Sequence, residues 1–219
     1  RSARLNRSDI ASAGSIIAPM PSAYMMSGFD DALIMTLDGE GDSHAGAFWH
    51  GSGGEITQLH PIDTEDSLGF LYLRVINYLG FKLFDEYKVM GLASYGDSTR
   101  YFENFKSVYQ LRPQGQWRIY QDRLRAMLQT LTKPRFPFEE ISQQHKDIAA
   151  ALQATLEHIV LHALEDYQNQ YHYKHLCMAG GVSHNCSMNG KILYSGLFEK
   201  VFVQPAAHDA GCALGAGLL

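Results

Sequence analysis

Cysteine is scarce and unpaired in this sequence. Cys177, Cys186 and Cys212 are an odd number with no Cys-x-x-Cys spacing, so neither a disulfide framework nor a zinc knuckle is encoded and a reducing compartment fits. No apolar run approaches the roughly 20 residues that span a bilayer, and the start has no charged-then-apolar signal pattern. The expectation is a cytoplasmic protein with no membrane partner. Long basic runs are missing too: 18 Lys and Arg against 23 Asp and Glu give a formal net charge of −5, which argues against nucleic acid as the main partner. Arg1, Arg4 and Arg7 read as a solvated end. The absence of a Gly-x-Ser-x-Gly elbow, a Walker loop or a Cys–His signature argues against a hydrolase triad, a P-loop enzyme and a thiol protease.

What is present suffices for one good core with an insertion, since 46% of the 219 residues are hydrophobic. The first residue is Arg1 rather than Met, and the last ones, Leu218-Leu219, fall inside an apolar helical pattern. Both ends therefore read as cut, and a fragment of a longer protein is expected. Ala32 to Leu37 suits a buried strand that stops at Asp38-Gly39-Glu40-Gly41-Asp42. His44–His50 and Glu55–His60 flank Gly51-Ser52-Gly53-Gly54 as a hairpin. Leu68, Leu71, Tyr72, Val75 and Leu79 follow the helical period up to Gly80, and a second helix is expected over Glu86–Ala93. Tyr101 to Pro137 shows no sustained period and reads as an insertion. A long stripe from Ile148 to Tyr167 marks the strongest helix, over Gln143–Tyr171. Strand His175–Ala179, helix Asn185–Ser195, strand Val201–Gln204 and a small-residue helix from Asp209 onward complete the chain.

Three strands, a helix, an insertion, then strand, helix, strand and helix is the order of one lobe of an α/β fold, the ribonuclease H-like, actin-type ATPase (ASKHA) lobe with a helical insertion. The expected division is residues 1–27 as a remnant of an upstream segment or lobe, and 28–219 as the lobe, with the insertion at about 97–142. Fold analogy proves no chemistry.

Chemistry is expected in loops that follow strands. Gly39 and Gly41 beside Asp38 suit a phosphate-binding turn, although Asp-Gly is also the commonest plain hairpin signal. Gly180-Gly181-Val182-Ser183-His184-Asn185 runs from a strand into a helix, where Asn185 either bonds a nucleotide or simply caps that helix. Asp209 heads the last helix, where a carboxylate is stabilised by the dipole with or without a catalytic role. Lys88 faces phosphate or pairs with Asp85 or Glu86 at the surface. His158 and His162, at i,i+4, are the one helical pair with metal-ligand spacing, and the ordinary helix-face reading is the stronger of the two.

Taken in order, Ser27-Gly28-Phe29-Asp30-Asp31 running into Asp38–Asp42, Leu68-Gly69-Phe70-Leu71-Tyr72 with Tyr78-Leu79-Gly80-Phe81, and Glu86-Tyr87-Lys88-Val89-Met90-Gly91-Leu92 open a series of five blocks. Gly180-Gly181-Val182-Ser183-His184-Asn185-Cys186 and Gln204-Pro205-Ala206-Ala207-His208-Asp209-Ala210-Gly211 close it. From about Ser22 to the end, the chain resembles the carbamoyltransferase family of nodulation and antibiotic biosynthesis. The resemblance implies a two-part enzyme. A C-terminal adenylate-forming domain makes carbamoyl adenylate from carbamoyl phosphate and ATP, and the actin-like part transfers the carbamoyl group to a hydroxyl of a sugar or antibiotic. It implies Asp38, Gly39, Gly41, Gly69, Lys88, Gly180, Gly181, Val182 and Asn185 as cofactor-facing residues. It also implies Asp209 as the catalytic, metal-binding aspartate of a divalent metal (iron or similar), acting on the carbamoyl carbonyl or the acceptor hydroxyl.

The family's two metal-binding histidines form a His-x-x-x-His pattern just before Ser22-Ala23-Tyr24, and here those places hold Ser15 and Pro19. Either the metal has been lost or the segment before Ser22 is not contiguous in the whole molecule. The alternatives to a transferase are a nucleotide-binding ATPase or sugar kinase of the same fold, or a non-catalytic partner subunit that binds nucleotide.

Overall fold

The computed structural model describes residues 19–41 and 43–218. It divides into two compact units, Arg1–Gly69 with Tyr167–Leu219, and Phe70–Asp166.

In the first unit, helix α1 (Pro19–Ser27) precedes strands β1 (Asp31–Gly41), β2 (His44–Ser52) and β3 (Glu55–Asp63). After the second unit the chain returns as β6 (His175–Ala179), α7 (Cys186–Tyr194), β7 (Lys200–Val203) and α8 (Gly211–Leu218). One five-stranded sheet has the order β3-β2-β1-β6-β7. The hairpin pairs are antiparallel, as expected from the glycine turn, whereas β1–β6 and β6–β7 are parallel. β1 is the central strand and is covered on both faces, which is why Ala32 to Leu37 reads as a near-continuous apolar run. Alternation sends Ala32 and Ile34 to one face with Met20, Tyr24 and Trp49. Leu33 and Met35 go to the other, where Phe48 stacks on Tyr167 at 4.4 Å. Thr36 is the polar exception, and its hydroxyl is satisfied by Ala47 and by the Trp49 indole N–H.

Among the boundaries that differ from the sequence expectation, two bear on the site. β1 does not stop at Leu37 but runs to Gly41, with an irregularity in its pairing to β2 between those residues. A bulge of this kind absorbs the extra residues and re-aims the strand end without ending it. The chain reverses after Gly41, and Asp42 lies outside the described residues. The last helix begins at Gly211 rather than Asp209, because His208 to Ala210 are held in a turn closed by Gly211 N–H donating to His208 O at 2.9 Å.

The second unit holds most of α2 (Leu68–Tyr78), then α3 (Glu86–Ala93), α4 (Phe102–Lys106), the hairpin β4–β5 (Tyr109–Arg112, Gln116–Ile119), α5 (Gln121–Leu131) and most of α6 (Gln143–Tyr171). The stretch 97–142 is thus not purely helical, since it carries a hairpin as well. Along α6 the expected stripe is buried: Ile148, Leu152, Leu156, Ile159, Val160, Ala163 and Leu164 are each at most 2% exposed. Each of the Ile, Leu and Val side chains contributes roughly 1.5–3 kcal/mol by leaving water. No helix among the described residues is long and apolar enough to cross a membrane.

Candidate functional site

Three parallel neighbours, β1, β6 and β7, end at the same edge of the sheet. The segments that leave them are those singled out in the sequence: Asp38–Gly41, Gly180–Asn185 and Gln204–Ala210. In open α/β sheets the carboxyl ends of the strands are where ligands bind.

Asp38 joins the first two segments. Its Oδ1 accepts from its neighbour's N–H, Gly39, at 2.7 Å, and its Oδ2 accepts from the N–H of Gly181 at 2.8 Å, a residue 143 positions away. Gly180 adopts φ 89°, ψ 158°, and its N–H donates to Ala207 O at 2.7 Å, joining the second segment to the third. Gly69 comes so close that a Cβ there would lie 2.7 Å from the Gly39 nitrogen. One residue before α2, the Ser67 hydroxyl bonds Asp38 O at 3.0 Å. Asp38, Gly39, Gly69, Gly180 and Gly181 are therefore one packed group. Gly41 closes the hairpin opposite His44.

Past Gly180 the chain makes a 3-10 turn over Gly181–His184, and Val182 O accepts from Asn185 N–H. Asn185 caps α7, its Oδ1 accepting from Met188 N–H at 2.9 Å. Four residues on, Asn189 gives its amide N–H to Ser183 O at 2.8 Å, while its Oδ1 is buried with no partner among the described residues. The sequence does not single out that acceptor or the imidazoles of His184 and His208. His184 and His208 lie inside the motifs above and Asn189 three residues beyond one of them, and nothing in their spacing sets them apart. His184 and His208 face each other with ring centroids 5.2 Å apart. Burial, then His208, push the His184 pKa below its ordinary value, against the pull of Asp38.

Asp209 sits in the turn before α8, exposed. Lys88 belongs to the second unit, where its ammonium bonds Asp85 at 2.6 Å. This ion pair raises the Lys88 pKa and lowers that of Asp85. His158 and His162 are each engaged elsewhere, with the Tyr109 hydroxyl and with Arg112 O. Among the described residues no three His, Cys, Asp or Glu side chains converge as a metal-binding group. Ser15 lies outside them, and a proline at 19 has no donor atom to set beside Asp209.

A family model described as Carbamoyltransferase N-terminus matches residues 1–218. The chain belongs to that family. Within it, the chain is 50% identical over 198 residues to nodulation protein NolO of Bradyrhizobium diazoefficiens, a match covering 90% of this chain and 36% of that protein. It is equally similar to nodulation protein NolNO of Sinorhizobium fredii, over 90% of this chain and 29% of that one. The chain thus spans about a third of the length of those relatives. Component A of the (R)-2-hydroxyglutaryl-CoA dehydratase of Acidaminococcus fermentans has a similar fold, with a TM-score of 0.55 at 17% identity over 92% of this chain and 64% of that one. Neither the kinase nor the partner-subunit alternative gains support from these similarities.

The Asp38 bridge yields a prediction. Asp38→Asn keeps one acceptor but turns amide hydrogens toward the second N–H, and should cost about 1–3 kcal/mol, the penalty of an unsatisfied buried donor. Urea midpoints measure that loss. Hydrogen exchange at the Gly39 and Gly181 amides should accelerate, and unchanged exchange at both would refute the bridge.

Proposed function

We propose that this chain is the nucleotide-facing, actin-type lobe of an O-carbamoyltransferase. The whole enzyme would move a carbamoyl group from carbamoyl adenylate to a hydroxyl of a sugar or antibiotic acceptor, with a separate adenylate-forming domain supplying the donor. The observation that carries this reading is the Asp38 bridge, which holds two glycine segments at the carboxyl ends of adjacent parallel strands in a chain of the carbamoyltransferase family.

The N-terminal end of α7 provides partial positive charge for the phosphate. In the reaction the acceptor hydroxyl oxygen bonds the carbamoyl carbon. The carbon–oxygen bond to the phosphate breaks, AMP leaves with the electron pair, and the hydroxyl proton is released. In this reading Asp209, exposed in its turn, takes up that proton. Cytoplasmic location belongs to the same proposal.

The test is Asp209→Asn in the full-length protein, supplied with ATP, carbamoyl phosphate and a hydroxylated acceptor. Carbamoylated product should form at least about 100-fold more slowly, the scale of losing a general base. An exposed site away from packing changes stability by no more than about 0.5 kcal/mol, so the melting temperature should hold within roughly 2 °C. Near-normal turnover would remove Asp209 from the chemistry.

A further inference from the structure

We propose that His184 and His208 form a two-imidazole anion site that takes the phosphate of the bound nucleotide. The inference rests on the reading above and deepens it by naming side chains for the phosphate. His184 ends the 3-10 turn after β6 and His208 lies in the turn after β7, and the Gly180 N–H to Ala207 O bond holds these two segments together. The rings are 5.2 Å apart, tilted by 36°, and exposed.

The chemistry of His208 is set by its own turn. Ala210 N–H donates to His208 Nδ1 at 3.1 Å, so Nδ1 is an acceptor and that bond assigns the ring proton to Nε2. His208 therefore presents an N–H donor to its surroundings. With the Nδ1 lone pair occupied and Nε2 protonated, the ring is arranged to donate rather than to ligate a metal. An oxyanion with several acceptor oxygens can take N–H groups from two neighbouring rings at once, and it also offsets the cost of setting two imidazoles side by side. Asp38 does not compete for this role, because its two oxygens are committed to Gly39 and Gly181.

The experiment uses the full-length protein and calorimetric titration with AMP, adenosine and inorganic phosphate. His208→Asn retains an oxygen where Nδ1 accepts from Ala210 but removes the outward N–H, and His184→Ala removes the other ring. Each should weaken AMP binding about tenfold, the scale of a hydrogen bond to a charged group, and leave adenosine binding and the melting temperature unchanged. Unchanged AMP affinity, or equal losses for AMP and adenosine, would overturn the pair as a phosphate site. If the wild type binds no AMP, the adenylate reading falls by itself. The pair then stands if inorganic phosphate binds and the double variant loses it, and falls if phosphate does not bind.

Discussion

Gly180→Ala should destabilise the protein by about 3 kcal/mol or more and abolish nucleotide binding. At φ 89°, ψ 158° the backbone lies in a region that side chains with a Cβ essentially avoid, at a cost of roughly 1–3 kcal/mol. The space is also taken: a Cβ there would stand 2.2 Å from Leu37 O and 2.7 Å from its carbonyl carbon. These are backbone atoms of the central strand, so relief requires moving β1 against β6, and overpacking of this kind adds about 1–3 kcal/mol. Any such shift also pulls the Gly181 N–H from Asp38 and the Gly180 N–H from Ala207. Gly190→Ala is the matched control. It lies within α7, where a Cβ meets nothing within 4 Å, so it should stabilise by up to about 1 kcal/mol. Denaturant unfolding of both variants measures the contrast, and equal midpoints would show that the approach of the Gly180 segment to β1 carries no energetic weight.

Asp147→Ala is expected to cost the second unit about 3 kcal/mol at neutral pH. Its side chain, 1% exposed, accepts from Asp97 N–H at 2.9 Å, from the Gln143 amide at 2.9 Å and from the Arg100 guanidinium at 2.8 Å. It thereby fastens the segment after α3 to the first turns of α6. Hydrogen bonds to an ionised group are worth about 1.5–3 kcal/mol each, and truncation strands the buried donors. Burial alone would raise the Asp147 pKa. The three bonds and the Arg100 charge outweigh burial and hold it below the usual carboxylate value. A depressed folded-state pKa contributes stability that is present above the unfolded value, about 4, and is lost as pH falls through the folded one. Urea midpoints of wild type and Asp147→Asn should therefore differ at neutral pH and draw together as the pH falls below the unfolded value and through the depressed folded one. A difference independent of pH would assign the effect to shape rather than charge.

Helix α3 and helix α6 have the bounds read from the sequence, Glu86–Ala93 and Gln143–Tyr171. Strand His175–Ala179 is likewise as read. In each, local pattern and burial agree, because a helix face or a doubly covered strand writes its environment into successive residues. At Asp38–Gly41 the local pattern and the structure differ in part. Asp-Gly has the chemistry of a tight turn, yet pairing with β2 continues through a bulge to Gly41, and a partner strand competing for backbone hydrogen bonds is invisible in local sequence. For the same kind of reason Asp209 reads as a helix start, while the turn closed at His208 delays the helix to Gly211.

The sequence by itself determined the order of the elements, the buried faces and the loops in which chemistry was sought. The periods of helix and strand, and the demand of glycine turns, act over a few residues. Only the tertiary structure decided which of those residues meet. It set Asp38 against Gly181 across 143 positions and His184 against His208, made Asn185 a helix cap and turned Lys88 to Asp85. Sheet order decides such meetings, because it places the ends of β1, β6 and β7 side by side. Strand pairing over long separations depends on the packing of the whole unit, which no local stretch of sequence records.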